Sequence, residues 1–410
     1  MIERKIKIEE SEDSIFLWGA RQTGKSTLLT QRFPGAKYYD LLESDLYERF
    51  RRQPSLLRNE LNMIDSDTLV IIDEIQKIPE LLDEVHWLMS RRNMRFILSG
   101  SSARKLRRCG ANLLGGRAIR QQLFPFVSAE IPDFSLSRAI NNGMLPRHYL
   151  IDNPAKRLQS YVGDYLREEI KEEALTRNIS SFTRFLEIAA INDGEILNYK
   201  NIATDCGVSA PTVKEYFSIL EETLLGYQLP AYTKNVKRRV IQAPKFYLFD
   251  IGIVNYLTHR RNLQPGSIDY GHALEHLMLQ ETIAYLSYSE SDLQAAYWRT
   301  ASGFEVDIII FEPYSHEVKY AIEVKSCEEV QNRHLKGIRA FREEHPQCHS
   351  ICISHDKFPR MTDDGIEIWL AEEFLRQLWG GRFFLRLSST VSTYSATFPT
   401  GSPPKKSMLT

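Results

Sequence analysis

Two groups of residues near opposite ends of this 410-residue chain have the types and spacing for phosphate chemistry. The first is Gly19-Ala20-Arg21-Gln22-Thr23-Gly24-Lys25-Ser26-Thr27, a phosphate-binding loop of the GxxxxGKS type. It follows the apolar run Ile15-Phe16-Leu17-Trp18 and runs into a segment, 25–31, that reads as the first turns of a helix. Glycine at 19 and 24 lets successive N–H groups and the helix N-terminus face phosphate oxygens. Lys25 would then pair with the β- and γ-phosphates of a nucleoside triphosphate, and the Ser26 hydroxyl would ligate Mg2+.

Such a loop needs an acidic partner, and residues 68–75, TLVIIDEI, supply one. A continuous apolar run closed by Asp73 and Glu74 is the pattern of a buried parallel strand that delivers carboxylates to its C-terminal edge. Asp73 would hold Mg2+, directly or through water, and Glu74 would orient and deprotonate the attacking water. The alternative is an acidic pair that only caps the helix after Pro79. A further apolar run, 95–98, ends in Ser99-Gly100-Ser101-Ser102, where the Ser99 hydroxyl would sense the γ-phosphate or the lytic water, or simply cap a helix.

Residues 91–129 contain no Asp or Glu but hold Arg91, Arg92, Arg95, Arg104, Lys105, Arg107, Arg108, Arg117 and Arg120. In a chain of net charge −1 this marks a local positive field. Arg117, after Gly115-Gly116, is the first choice for a residue that stabilises transition-state charge in a neighbouring subunit, which would require a homo-oligomer. A solvated or DNA-facing basic surface is the alternative.

The second group is Glu275, Asp307, Glu323 and Lys325. Glu275 lies on an expected helix (272–286), Asp307 in the strand 305–311, and Glu323-Val324-Lys325 at the end of the strand 321–325. Period-two alternation puts Glu323 and Lys325 on one side and Val324 on the other. The three carboxylates would converge on one Mg2+, and Lys325 would position or activate water beside a scissile phosphate. Charged residues at strand edges, or a nuclease-like fold without activity, are the alternatives. Gln280 and Tyr285 would assist substrate binding or lie on the helix surface.

These groups need a scaffold. Expected strands at 15–18, 36–42, 69–73, 95–99 and 118–124 alternate with amphipathic segments, which implies a parallel sheet with helices on both faces. A loop at 141–150 forms a boundary, and a long charged helix follows at 155–175. Residues 198–226 read as a helix-turn-helix: Gly207 at the turn, Ser209 as cap, Pro211 in the first turn, and Val213, Phe217, Leu220 and Leu224 on one face. The acid-free stretch 229–249, with Lys234, Lys237, Arg238, Arg239 and Lys245, reads as a basic wing for DNA phosphates. The alternative is a packing module that contacts the N-terminal unit and never meets DNA.

A chain of this length implies two or three domains. The opening MIERKIKIEE lacks the apolar core of a secretion signal, and no run approaches the ~18 apolar residues of a membrane span, so a cytoplasmic protein without membrane attachment is expected. Five cysteines without a CxxC pair suggest neither disulfides nor zinc, and Cys348 and Cys352 fit a half-buried strand better than a metal site. The Ser, Thr and Pro-rich end, 387–410, should be disordered.

On GARQTGKSTLL, VIIDEIQKIP, ILSGSSARKL with GGR after it, NIATDCGVS, EVDIII and IEVKS, the chain resembles prokaryotic AAA-type, archaeal-ATPase-like P-loop ATPases. In that family the C-terminal half is a region of unknown function with a restriction-endonuclease-like, PD-(D/E)XK fold. The resemblance covers nearly the whole chain to about residue 385. It implies an α/β fold with an AAA-type ATPase domain (1–145), a helical and winged helix-turn-helix domain (146–265), a nuclease-like domain (266–386) and the tail. It also implies ATP binding and hydrolysis. Ser26 stands where the family often has Thr, and the Glu-rich YLREEIKEE stands where it usually has an acidic Asp.

Overall fold

The computed structural model describes residues 2–8, 13–102, 104, 106, 114–166, 179–233 and 240–383. The first unit runs β1 (Ser14–Trp18), α1 (Lys25–Arg32), β2 (Lys37–Asp40), α2 (Ser44–Arg52), α3 (Ser55–Leu61), β3 (Val70–Asp73), α4 (Leu81–Arg92), β4 (Phe96–Gly100) and β5 (Ala118–Gln122). Its strands form one parallel sheet in the order β2-β3-β4-β1-β5, as the alternation of strands and helices predicts. β4 is thus inserted between the strand leading into the phosphate loop and the strand ending in Asp73.

Both faces of this sheet are covered, which is why its strands read as unbroken apolar runs. Phe16, Trp18, Val70, Ile72, Phe96 and Leu98 pack with helix residues such as Leu57, Leu61, Val85 and Leu88. The alternate set, Ile15, Leu17, Ile71 and Ile97, packs with Leu28 and Leu29 of α1, and also with Ala284 and Tyr288 from far along the chain.

The middle of the chain is mostly helical: α5 (Leu136–Asn142), α6 (Pro146–Tyr149), α7 (Ala155–Ser160), α8 (Ile179–Ile191), α9 (Tyr199–Cys206), α10 (Ala210–Glu222), the antiparallel pair β6 (Gly226–Leu229) and β7 (Lys245–Leu248), and α11 (Ile251–Leu257). Two expectations are corrected here. The segment 141–150 is not an open boundary loop, because Met144 and Leu145 are buried and donate their N–H groups to Asp250 at 2.6 and 3.0 Å. The expected helix at 155–175 keeps α-helical winding only to Ser160 and widens to a π-type turn over Tyr161–Leu166; residues 167–175 lie outside the described part. α9 and α10 are joined by a tight turn: Gly207 has φ 69° there and the Ser209 hydroxyl accepts from the Thr212 N–H at 3.3 Å.

The last unit starts with α12 (Ile268–Tyr288) and continues as β8 (Gln294–Arg299), β9 (Glu305–Phe311), β10 (Val318–Val324), α13 (Lys336–Arg342), β11 (His349–Ser354), β12 (Arg360–Met361), β13 (Glu367–Leu370) and α14 (Ala371–Trp379). Its mixed sheet has the order β12-β13-β11-β10-β9-β8. α13 packs on one face through Ile338 and Phe341, against Trp298 and Ile309. α12 and α14 share the opposite core, in which Leu277 and Phe374 lie with Ile308, Ile322 and Ile351. No helix of the described residues is long and apolar enough to cross a membrane.

A buried polar seam joins the first and last units. Arg4 donates to Glu130 at 2.9 Å and to the carbonyls of Thr23 (2.6 Å) and Phe124 (2.7 Å). Glu281 of α12 accepts from the Ser128 N–H at 2.7 Å and from the Trp379 indole of α14 at 2.6 Å, while the Phe124 N–H donates to the Tyr288 hydroxyl at 3.1 Å. Burial pushes the Glu281 carboxyl up to about 7, against the pull of its Trp379 and Ser128 donors.

A carboxyl raised in the folded state lends stability that is complete below its unfolded pKa of about 4.3 and is lost as pH rises through its folded value. Between pH 5 and 8 the wild type should therefore lose up to about 3 kcal/mol at this site, a loss that Glu281→Gln removes. Urea unfolding of both proteins across that range measures it; parallel pH slopes would show that the proton is not held at Glu281.

Candidate functional site: a phosphate loop and a lysine-filled acidic cluster

The loop between β1 and α1 has the backbone its glycines suggest. Gly24 sits at φ 97° at the start of α1, in the left-handed region where a side chain is strained. Gly19 is fixed by crowding instead, since a Cβ there would lie 2.6 Å from the Leu123 carbonyl. Lys25 is buried, and its ammonium donates to the carbonyls of Gly19 (2.7 Å) and Ala20 (3.2 Å), so it is held inside the loop. Thr23 donates its hydroxyl to the Ala20 carbonyl at 2.8 Å, and the Arg21 carbonyl accepts from the Tyr161 hydroxyl at 3.3 Å. Gln22 has φ 64°, and Ser26 and Thr27 are exposed on the first turn of α1.

The structure brings Ser26, Asp73 and Ser99 together. Asp73, almost fully buried at the end of β3, accepts from the Ser26 hydroxyl at 2.5 Å, from the Ser99 hydroxyl and from the Tyr38 hydroxyl at 2.7 Å. Burial raises the Tyr38 hydroxyl, and the neighbouring Asp73 charge raises it further, so Tyr38 acts here as a donor. A hydroxyl and a carboxylate converging at the edge of the loop are the donor set Mg2+ takes beside a nucleotide, so these residues fit the metal.

Glu74 has φ 58°, an uncommon conformation for a residue with a side chain. Its carboxylate accepts from the Gln76 amide at 2.5 Å, and the same amide nitrogen reaches the Ser101 hydroxyl at 3.2 Å. A Cβ on Gly100 would lie 2.3 Å from the Gln76 side chain and 2.8 Å from the Trp18 ring, so glycine here keeps that support in place. Arg117 is exposed and lies against α4, with one guanidinium nitrogen 2.6 Å from the His86 ring nitrogen and another contact to the Ser90 hydroxyl. Of the other basic residues, Arg104 pairs with Glu222 at the end of α10 at 2.5 Å, while Lys105, Arg107 and Arg108 lie outside the described part.

At the other end, Asp307 and Glu323 are buried and adjacent. Asp307 accepts from the Val324 N–H at 2.7 Å; Lys325, one residue past β10, contacts Glu323 and stands 3.8 Å from Asp307. Burial raises both carboxyls, and each feels the other's neighbours: Lys325 lowers Asp307 while Glu275 raises it, and Asp307 raises Glu323. The Lys325 ammonium is disfavoured by burial but raised beyond its ordinary value by Asp307 and Glu323. Glu275 faces the same region from α12, yet its carboxylate is engaged by Lys245 (3.1 Å) and by the Tyr247 hydroxyl (2.7 Å). Among the described residues no group of three or more His, Cys, Asp or Glu is arranged to hold a metal.

Lys245 corrects the sequence reading. It is not a wing cation facing phosphates but a buried residue, 4% exposed, paired with Glu275 and, at 2.8 Å, with Glu305. The basic residues 234–239 lie outside the described part, and the exposed positions of α10 include Lys214 and Glu215, one of each sign. Gln280 is buried in α12 rather than on its surface. Sequence reasoning missed Arg4, Tyr38 and Gln76, each of which reaches a side chain on another element, and gave Lys245 a different role.

Residues 11–131 match the family model described as an AAA domain. The phosphate loop, its acidic strand and this match together define an AAA-type P-loop ATPase domain. Residues 133–264 and 270–373 match models described as Domain of unknown function (DUF8612) and Domain of unknown function (DUF4143). The chain is 25% identical over 324 residues to an uncharacterized protein of Mycobacterium tuberculosis, covering 74% of this chain and 70% of that protein. It is 22% identical over 370 residues to an uncharacterized protein of Methanocaldococcus jannaschii, covering 75% of each. Among solved structures it is similar to the Walker-type ATPase of Pyrococcus abyssi, with TM-score 0.40 and 14% identity over 59% of this chain and 90% of that one. It is also similar to the replication initiator DnaA bound to AMPPCP and single-stranded DNA, with TM-score 0.25 and 12% identity over 51% and 82%.

Glu74→Gln should lower ATP turnover about 10²- to 10⁴-fold while nucleotide affinity, measured by calorimetry, stays near wild type. Gly100→Ala should give a smaller fall in kcat with KM little changed, because it displaces Gln76 and not the loop. A Glu74→Gln protein that turns over normally would remove Glu74 from the chemistry.

Proposed function

We propose that this chain is an Mg2+-dependent ATP hydrolase whose nucleotide state governs nucleic-acid binding or processing by the middle and C-terminal units. The observation that carries the hydrolase reading is the convergence of Ser26, Ser99 and Tyr38 on Asp73 beside a buried Lys25. When ATP binds, Lys25 exchanges the Gly19 and Ala20 carbonyls for phosphate oxygens, and the loop N–H groups and the α1 N-terminus take the rest of the charge. Mg2+ would be held by Ser26 and Asp73 and would supply charge neutralisation across the phosphate oxygens. Glu74, kept in place by Gln76 and Ser101, accepts the proton of the attacking water, and Ser99 reports on the phosphate end through Asp73. In a homo-oligomer Arg117 of one subunit would face the triphosphate of the next.

Coupling is supported by Arg104, which follows Ser99 closely in sequence and pairs with Glu222 at the end of the second helix of the helix-turn-helix. A shift at the end of β4 thus reaches α10 through a partly buried ion pair. DNA binding rests on that fold and the basic stretch 234–239, together with the nuclease-like order Glu275, Asp307, Glu323, Lys325.

A second reading is a nucleotide-switched scaffold with an inactive nuclease-like fold that binds a protein partner. It is favoured by the lysines lodged among the C-terminal carboxylates.

ATP turnover with and without duplex DNA tests the first reading. DNA should raise kcat several-fold, and Arg104→Ala should abolish the rise while leaving basal turnover intact. Turnover indifferent to duplex and single-stranded DNA or RNA, together with no Mg2+- or Mn2+-dependent cleavage, would overturn it in favour of the scaffold.

A further inference from the structure

Lys245 reaches the C-terminal acidic cluster from another unit. It is the first residue of β7, a strand paired with β6 directly after the helix-turn-helix, and its side chain is buried between α12 and β9. Its ammonium contacts Glu275 and Glu305 and lies 5.5 Å from the centre of the Tyr297 ring. Two residues on, Tyr247 donates to the same Glu275 oxygen that accepts from Lys245. Glu275 is thereby tied to the hairpin, whereas Asp307 and Glu323 are tied to Lys325. One carboxylate oxygen of Glu323 remains buried without a partner, so the cluster retains unused acceptor capacity.

A divalent metal needs several carboxylate oxygens turned toward one point, and an ammonium already seated among them competes for the same oxygens. We propose that Lys245 is a built-in counter-cation that keeps divalent metal out of the Glu275, Asp307 and Glu323 cluster. The inference rests on reading these residues with Lys325 as a nuclease-like set. It adds that the set is held in a metal-free arrangement by a residue of the neighbouring unit. Metal entry then requires β7 to withdraw from α12, which makes the middle unit a gate on the C-terminal one.

The test is Mn2+ titration of the full-length, nucleotide-free protein, with free Mn2+ followed by electron paramagnetic resonance. Lys245→Met, nearly isosteric and uncharged, should bind one Mn2+ more than wild type, at least tenfold tighter than any site there, and K245M/D307A should lose it. Lys245→Arg, which keeps the charge, should behave as wild type. A wild-type protein that already binds an Asp307-dependent Mn2+ as tightly as K245M overturns the exclusion but leaves the nuclease-like reading standing. Absence of any Asp307-dependent Mn2+ in a cooperatively melting K245M overturns both. Should K245M fail to melt cooperatively, K245Q/E305Q, which removes both halves of one ion pair, is read by the same criteria.

Discussion

The Asp73 carboxylate is the group on which the phosphate-loop end of this protein depends. It is almost fully buried, and a carboxylate in that position is tolerated only when its oxygens are satisfied. Ser26 comes from the helix after the loop, Tyr38 from β2 and Ser99 from β4, so one group fixes the relative positions of three elements. The strand order follows from the same requirement. β3 stands between β2 and β4, which lets Tyr38 and Ser99 approach Asp73 from opposite sides, and β4 lies beside β1, which brings the loop into reach.

Buried charge also decides how the units sit together. Arg4 spans the phosphate loop at Thr23 and the chain leaving β5 at Phe124 and Glu130; Glu281 and Tyr288 of α12 then receive that same segment. Each contact joins groups that would be costly to leave unpaired, so separating the units exposes several at once. The apolar complement is direct, because Ala284 and Tyr288 complete the sheet face formed by Ile15, Leu17, Ile71 and Ile97. The ATPase unit is thus packed against α12 on the side of the sheet that carries α1.

Local chemistry made part of this legible in the sequence. The loop, the run 68–75 and the two helices around Gly207 announce themselves because their shape resides in neighbouring residues: glycine φ values, an unbroken apolar strand, a capping serine. Tyr38, Gln76 and Ser101 carry no such mark, since each acts by reaching a side chain on another element. Lys245 shows the same limit in a sharper form. A lysine in an acid-free stretch has the same local pattern whether it faces a phosphate or a carboxylate, and here the carboxylates, Glu275 and Glu305, come 30 and 60 residues later. The segment 141–150 misled for a related reason: Gly143 and Pro146 mark turns between short helices, and groups distant in sequence, among them Asp250 and Leu263, pin that segment in place.

The two ends of the chain treat positive charge differently, and the difference follows from what holds each lysine. Lys25 is held by carbonyl oxygens, which are neutral, so a triphosphate would displace them at small electrostatic cost. Lys245 and Lys325 are held by ionised or ionisable carboxyls in a buried setting, where breaking a pair leaves an uncompensated charge and is costly by several kcal/mol. A ligand that meets Lys25 needs no help from the rest of the protein. One that would displace Lys245 needs a movement of β7. That movement would be transmitted through β6 to α10, whose Glu222 is already paired with Arg104, four residues past the end of β4.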